Sequence, residues 1–598
     1  MQAAPADVVA FSCYTWNWQY SLQLAAAVRA QKPGCLIVFG GPHVPAGPQQ
    51  AEAFLRQHPA VNLAVHGEGE QTFLELLEQW QSGQPDWQTV AGISYLDTAG
   101  DYQRTAPRPR QIDLSQVPSP YLTGVFEPLL RRDPTARWLA LWETNRGCPF
   151  SCSFCDWGSA TASKVSRFDE DRLLAEIEWF ARHRMHTVYC CDANYGMLKR
   201  DLDLTDAMVR ARQQSGFPKV FYIQNTKNVT ERAYAIQTRI AHAGLNQAVT
   251  LSLQSVNPRV LKHIQRDNIS LDSYRELQQR FRRDSVQTYT DMLVGLPGDT
   301  PADFLAGIDQ VINEGQHHLI RFYNVYLLPN APMNQPDYRA RHQIQSVITP
   351  YAEPMAPTRQ AITEFQELVI ASESFSTADW QQMRGLAWWA ELLYFNRKLL
   401  QLPWVLLKVL AGLGYGQLLQ HYLQGDWPRT AVMGELREFL RHKARQISEG
   451  QPELCPIQLP GKGEVWMGVE DYLFHGLSQT GSWSLFFADQ QLILLDLLHK
   501  NLPAERLQPL LAELQQALQL SQALLGVQLQ DQSFEMPVHS NFWSIYQAEL
   551  HGEAPPPLQS VSGVLYRDWR GLPFDQLKYR SAGATASAQI GYSGRQSL

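Results

Sequence analysis

The sequence predicts an α/β protein in three parts: a short doubly wound unit, a partial (β/α)6 barrel and a mostly helical C-terminal region. Three observations carry this. Short apolar runs alternate with helical patterns over residues 8–80 and again over 138–328. A compact loop holding three cysteines opens the second run. Beyond residue 341 the apolar spacing becomes helical. A chain of 598 residues exceeds one ordinary core, so several domains are expected. The boundaries read from the pattern are 1–82, a linker over 83–120, a barrel over 121–336, a helical domain over 337–580 and a disordered tail over 581–598.

In the first unit, Val8–Phe11 reads as a strand, Ser21–Arg29 as a helix and Cys35–Phe39 as a second strand. Helix Gln49–Gln57, strand Leu63–Val65 and helix Thr72–Trp80 complete it. Strands alternating with helices form a parallel sheet, and ligands lie beyond the carboxyl ends of its strands. Those ends carry Ser12, Cys13, Tyr14, Thr15 and Trp16, then Gly40-Gly41-Pro42-His43, then Gly67-Glu68-Gly69-Glu70. Paired glycines let a ligand approach the backbone closely, although tight turns use them everywhere. In the linker, Val90–Leu96 reads as a hairpin strand, followed by extended, proline-stiffened chain.

The barrel opens with the apolar run Trp138–Trp142, followed by a loop with Cys148, Cys152 and Cys155 at C-x3-C-x2-C spacing. A structural zinc or a ferredoxin-type cluster takes four ligands, and no fourth cysteine is near. Three thiolates therefore point to a cluster with one open iron, a site for chemistry. A zinc knuckle and three buried structural thiols are the alternatives. Five further strands follow, at Thr187–Cys191, Val220–Ile223, Ala248–Leu253, Val286–Val294 and Leu319–Leu328, separated by helices. Active residues of such a barrel belong at the strands' carboxyl ends. There the sequence places Asp192 and Asn194, then Ser252, Gln254 and Ser255, then Asp291 and Gly295-Leu-Pro-Gly298-Asp299, then Leu328-Pro-Asn-Ala-Pro332. Cys190 and Cys191 read as packing, and Cys13 as a small buried apolar group.

The cysteine spacing, with an aromatic before the last cysteine at the end of a first barrel strand, resembles the radical S-adenosylmethionine (SAM) superfamily. F-S-C-Y, F-G-G-P-H and H-G-E-G-E ahead of that loop resemble the cobalamin-binding domain fused to many of its members. The resemblance implies a 4Fe–4S cluster on Cys148, Cys152 and Cys155, whose open iron binds SAM and cleaves it to a 5′-deoxyadenosyl radical. It implies SAM contacts from Asp192, Asn194, Ser252, Gln254, Ser255, Arg266, Gly295 and Pro329. Asp192 would receive the ammonium of SAM, and Arg266 would fork onto its carboxylate. It implies cobalamin contacts from Ser12, Tyr14, Trp16, Gly40, Gly41, Pro42, Gly67, Glu68, Gly69 and Glu70. Asp192 as a helix N-cap and Arg266 as a surface ion pair are the bland readings.

Two departures matter. The usual Glu of the fourth strand is Gln254, and the D-x-H-x-x-G signature of the cobalt ligand has no counterpart. The unit starts at what matches the third strand of that domain. Either cobalamin binds without a histidine ligand or the start is truncated; His43 is an axial or pocket candidate on one reading and a solvated turn histidine on the other. The function implied is a cobalamin-dependent radical SAM methyltransferase acting on an unactivated carbon of a natural-product, lipid or peptide substrate. Its partners would be that small-molecule or peptide substrate and an external flavodoxin- or ferredoxin-type electron donor. Rival readings are a ring-forming or oxidising radical SAM enzyme, one with a non-functional cobalamin domain, and a non-catalytic iron–sulfur protein. No catalytic acid or base is singled out.

A net charge of −7 without a long basic run gives no electrostatic support for a nucleic-acid partner. Residues 1–7 lack a signal-peptide pattern, and eight cysteines in so long a chain do not resemble a disulfide framework, so a reducing cytoplasm is expected. The apolar window Leu399–Leu419 is interrupted by Gln401, Pro403, Lys408 and glycines, which argues against a spanning helix and leaves peripheral membrane contact open. Helical patterns are read at Arg359–Ser372, Thr377–Leu400, Thr430–Glu449 and Ala504–Leu520. Trp380, Trp388, Trp389 and Trp404 are core or a cap on the barrel mouth, and Tyr472, His475, Trp483 and Phe487 are candidates for a substrate pocket.

Overall fold

The computed structural model describes residues 6–157, 164–226, 231–246, 248–427, 430–530, 534–567, 577–581 and 588–590. The first unit is a five-stranded sheet in sequence order: β1 (Val8–Ser12), β2 (Leu36–Gly40), β3 (Leu63–Val65), β4 (Ile93–Leu96) and β5 (Tyr102–Arg104). The first three strands are parallel and the last two antiparallel. Strand β2, Leu-Ile-Val-Phe-Gly, is apolar throughout because both its faces are covered. Ile37 and Phe39 pack with Ala25 of α1 (Trp18–Gln31) and Phe54 of α2 (Pro48–Gln57). Leu36 and Val38 pack on the opposite face with Leu76 of α3 (Glu70–Gln81). The sheet thus continues to Arg104 and not to residue 82, so the first half of the expected linker is part of it. Strands β3 and β4 are both read from the sequence; β5, the antiparallel hairpin partner of β4, is not.

The barrel is built from two three-stranded parallel sheets. The first holds β6 (Leu139–Trp142), β7 (Thr187–Cys190) and β8 (Val220–Tyr222); the second holds β9 (Ala248–Thr250), β10 (Gln287–Val294) and β11 (Leu319–Asn324). The seam between them is bridged by Asn225 Nδ2, which donates to Thr250 O at 3.0 Å. Outside lie α4 (Glu170–Arg182), α5 (Asp201–Ser215), α6 (Glu231–His242), α7 (Pro258–His263), α8 (Leu271–Arg283) and α9 (Pro301–Asn313). Residues alternate along each strand. Trp142, Val188, Phe221, Met292 and Phe322 are buried in the cores that contain the helices' apolar faces. Their neighbours face the open lumen, which is why Leu139 and Leu141 are 53% and 62% exposed and Tyr222 and Tyr323 nearly half.

The chain after the barrel is mostly helical, as read, but one expected helix is absent and further strand pairs appear at Cys455–Met467 and Phe534–Arg567. Arg359–Ser372 is not a helix: Phe365–Ala371 is a strand paired antiparallel with Gln345–Pro350. It also joins the chain leaving β11, where Val369 N donates to Val325 O at 3.0 Å and Leu327 N to Glu367 O at 2.8 Å. Leu368 and Val369 are buried there, and this tertiary edge overrides a weak helical spacing. Helix α10 (Thr377–Trp389) opens with a capping box at Ser376 and Asp379. Trp380, Trp388, Trp389 and Trp404 are fully buried in the core. Trp483 and Phe487 are core as well, and Tyr472 stacks on Phe439 at 5.5 Å. No helix among the described residues is long and apolar enough to cross a membrane. In the window singled out above, Gln401–Ala411 and Tyr415–Gln424 meet at a 120° bend. Of the expected tail, Ser581 and Ala588–Ile590 are strand residues and the rest lies outside the described residues.

Candidate cluster and cofactor site

The cysteine loop leaves β6 through Gly147, whose φ is +116°. A Cβ at Gly147 would come within 2.6 Å of Lys164 O, so only glycine passes here. Cys148 and Cys152 are buried and Cys155 is partly so. The loop is pinned from two sides: Ser153 N donates to Ile264 O at 2.9 Å, and Met333 N donates to Ser153 O at 2.7 Å.

Asp192, past the end of β7, is fully buried. Its carboxylate accepts from Thr144 N (2.8 Å), Thr144 Oγ1 (2.5 Å), Asn145 N (3.2 Å) and Asn145 Nδ2 (2.7 Å). This corrects both sequence readings of Asp192. Its acceptor capacity is used in holding the root of the cysteine loop, so none is left for an ammonium, and no helix starts at it, α5 beginning at Asp201. Burial pushes its carboxyl up to about 7. Asn194, two residues on, is also fully buried; its Nδ2 donates to Cys148 Sγ at 3.2 Å. Its Oδ1 is buried without a hydrogen-bond partner among the described residues.

On the other half of the barrel, Arg266 is 5% exposed and lies against Cys152 and Cys155. It is held by Asn268 Oδ1, which accepts from Nε at 2.8 Å, and by Ser252 O, which accepts from Nη2 at 2.5 Å. It is therefore not a surface ion pair. Burial pulls its guanidinium below its ordinary value, and the Cys152 thiolate opposes that. Ser252 Oγ donates to Asp291 Oδ2 at 2.5 Å. Asp291 Oδ1 is a second buried acceptor without a partner among the described residues, and burial raises this carboxyl. Gln254 sits at φ +64°, a left-handed conformation that is rare for a residue with a Cβ. Two residues expected beside SAM also serve the scaffold. Ser255 Oγ accepts from Asn257 N at 3.1 Å in the turn before α7. Gly295 faces Trp380, where a Cβ would come within 3.1 Å of the indole.

Between the first unit and the barrel lies a cavity of about 1000 Å³. Ser12, Tyr14, Trp16, Gly40, Gly41, Pro42 and Gly67 to Glu70 all line it from the first unit. Gly147, Asp156 and Trp157 of the cysteine loop, Cys191 and Pro329 line it from the barrel. Pro329 thus sits on this shared wall. Tyr14 and Trp16 stack with ring centroids 4.6 Å apart. At Gly67 and Gly69 a Cβ would meet nothing within 4 Å, so the turn borders open space. His43 also lines the cavity, packed on Trp18 at 4.8 Å, and burial lowers its pKa to about 4. Cys13 is buried with its thiol pushed up to about 12, the packing role expected of it.

Sequence reasoning missed the residues that lock the two walls together. Arg146 pairs with Glu143 at 3.0 Å and reaches across to Glu70 at 2.6 Å. Asn330 Nδ2 donates to Pro42 O (2.7 Å) and Val44 O (2.9 Å), and its Oδ1 accepts from Ala46 N at 2.8 Å. The backbone amides of Gln19 and Tyr20 donate to Glu364. It also missed the lumen wall, where Arg321 lies 4.1 Å above the Tyr289 ring. Strand alternation could have found Arg321, Tyr289 and Tyr323; Asn330 lies in the strand-end segment Leu328–Pro332, read as a wall of the site and not as a link to the first unit, and nothing local marks Glu364.

The donor sets suit two different cofactors. Three thiols with an amide donor on one sulfur, a buried guanidinium and two unpaired acceptors suit an iron–sulfur cluster with a zwitterionic amino acid beside it. A large cavity under a glycine turn and an aromatic stack suits a planar macrocycle. Residues 142–311 match the family model for the Radical SAM superfamily, and residues 1–77 match the model for the B12 binding domain. The chain thus carries a radical SAM domain behind a B12-binding domain. A domain of the first kind uses a 4Fe–4S cluster and SAM, and one of the second kind binds cobalamin.

More particular relatives follow. Over 385 residues the chain is 42% identical to the 2-(S-pantetheinyl)-carbapenam-3-carboxylate methyltransferase of Streptantibioticus cattleyicolor, covering 63% of this chain and 55% of that one. It is also 42% identical, over 344 residues, to the cobalamin-dependent radical SAM methyltransferase TokK of Streptomyces tokunonensis, covering 57% and 50%. The chain thus spans about half the length of these curated relatives. A solved structure of the radical SAM methyltransferase TsrM from Kitasatospora setae, with cobalamin and a 4Fe–4S cluster bound, is 14% identical. It matches at a TM-score of 0.47 over 75% of this chain and 90% of that one.

Proposed function

We propose that the protein is a cobalamin-dependent radical SAM methyltransferase that alkylates an unactivated carbon of a small molecule. The observation that carries this is the single cavity lined on one side by the Gly40-Gly41-Pro42 and Gly67–Glu70 turns and on the other by the cysteine loop. The methyltransferase names of both 42%-identical relatives support the same reading. In it, Cys148, Cys152 and Cys155 hold the cluster. Asn194, Ser252, Gln254 and Arg266 contact SAM, with Asn194 Oδ1 and Asp291 Oδ1 as the acceptors free for its ammonium. Cobalamin lies in the cavity over Tyr14 and Trp16. When bound, the cluster supplies the electron that cleaves SAM and cobalamin supplies the methyl group.

The protein's own part is to orient and to exclude water. Asp192 fixes the loop root, Arg146 and Asn330 fix the distance between the two walls, and Trp157 and Cys191 close the space between them. Arg321 and the lumen tyrosines suit a substrate with a carboxylate, as in the carbapenam relative. The electron comes from an external flavodoxin- or ferredoxin-type protein in a reducing cytoplasm, and no nucleic acid takes part.

The test is an anaerobic assay of cofactor-loaded protein with SAM carrying a trideuterated methyl group and a pantetheinyl carbapenam carboxylate, read by mass spectrometry. Trideuteromethyl incorporation in step with 5′-deoxyadenosine is the expected result. Formation of 5′-deoxyadenosine with an altered but unmethylated substrate would replace methyl transfer by ring-forming or oxidising radical chemistry.

A further inference from the structure

Behind the cysteine loop, away from the cavity, two imidazoles and a carboxylate converge. His342 Nδ1 lies 2.9 Å from Glu373 Oε1, and His263 Nδ1 lies 3.5 Å from the same oxygen. All three donor atoms fall within 4.8 Å of one another, and the two rings are 4.7 Å apart. His263 Nδ1 is buried and makes no hydrogen bond among the described residues. The Gly295-Leu-Pro-Gly298 turn gives this ring its space. Gly298 has φ +91°, and a Cβ there would come within 2.7 Å of His263 Nδ1. His342 is buried, while Glu373 lies at the surface and leaves a way in from solvent.

We propose that His263, His342 and Glu373 bind a divalent transition-metal ion of the zinc type. Two neutral imidazoles and one carboxylate are a set such ions favour, and bonds of about 2.0–2.2 Å fit within a donor triangle of this size after small side-chain shifts. The three ligands come from separate segments: the end of α7, the turn before Gln345–Pro350 and the turn before α10. An ion would therefore cross-link them. The link reaches the cysteine loop directly. Tyr338 Oη donates to His263 O at 2.9 Å and lies 3.2 Å from Ser153 Oγ, and Ile264 O accepts from Ser153 N. The ion's role is to position this loop, and it takes no part in the radical chemistry.

The full chain carrying Cys148→Ala, Cys152→Ala and Cys155→Ala denies the metal the cluster thiolates. Titrated with Co2+ as a spectroscopic probe, it is expected to bind one equivalent with ligand-field absorption. Adding His342→Ala or the near-isosteric Glu373→Gln is expected to weaken that binding at least tenfold. If the triple variant fails to fold by circular dichroism, the same comparison is made on cluster-loaded wild type, with zinc measured beside iron. Equal metal content in wild type and His342→Ala, or no binding in either, overturns the proposal and leaves a His–Glu ion pair. Neither result depends on whether methyl transfer occurs.

Discussion

Asn194 Nδ2 donates to Cys148 Sγ at 3.2 Å, while the other end of the same amide, Oδ1, is buried and unpaired among the described residues. One side chain therefore touches the cluster loop and offers an acceptor to whatever lies beside it. Asn194→Leu removes both. The variant is expected to keep its iron but to lose roughly 10- to 150-fold in SAM affinity, on the scale of one charge-assisted hydrogen bond at about 1.5–3 kcal/mol. Loss of the N–H···S bond also lowers the cluster's reduction potential. Equilibrium binding of SAM and a redox titration check both effects.

Asp192 accepts four hydrogen bonds from Thr144 and Asn145. Asp192→Asn turns one acceptor into a donor that faces other donors. The expected cost is about 1–3 kcal/mol at the loop root. Iron occupancy after reconstitution should fall well below wild type while cobalt occupancy is unchanged. Metal analysis of the two proteins side by side decides this.

Asp299 is 2% exposed, and burial pushes its carboxyl from 3.8 up to about 7, with Asp303 adding to the effect. A carboxyl raised on folding favours the folded state fully below its unfolded value near 3.8, and that contribution is lost as pH rises through about 7. Wild type is therefore expected to lose stability relative to Asp299→Asn between pH 5 and pH 8, by roughly 2–4 kcal/mol. Thermal melts of both proteins across that range provide the measurement; parallel curves would contradict it.

Gly41 has φ +95°, and a Cβ there would lie 2.7 Å from Cys13 N. Gly41→Ala is expected to cost about 1–3 kcal/mol and to displace the turn that lines the cavity. Cobalt binding should fall while the cluster stays intact, as read by cobalt-to-iron ratio.

Much of this architecture is legible in the sequence, because its signals are local. Apolar runs such as Cys35–Phe39, the cysteine spacing and the Gly40-Gly41-Pro42 turn each declare themselves within a few residues. The ten residues of the first unit read as cobalamin contacts all line the cavity. What escaped depends on contacts between distant segments. Phe365–Ala371 becomes a strand only because the chain after β11 offers it an edge. Asp192 sits beside Asn194 in sequence, yet one faces the loop root and the other the thiol. Ser255 and Gly295 lie at strand ends, where chemistry is expected, and their packing against Asn257 and Trp380 comes from the fold and not from the local sequence. Strand-end position identifies the region of a site, and direction is set by packing.

The most direct test of the central claim is anaerobic reconstitution with iron, sulfide and hydroxocobalamin, followed by metal analysis and absorbance. One 4Fe–4S cluster and one cobalt per chain are expected. Cys148→Ala/Cys152→Ala/Cys155→Ala should lose iron alone, and Gly41→Ala cobalt alone. A wild-type protein that takes up the cluster but no cobalt would contradict the shared cavity as a cobalamin site, and with it methyl transfer by this route.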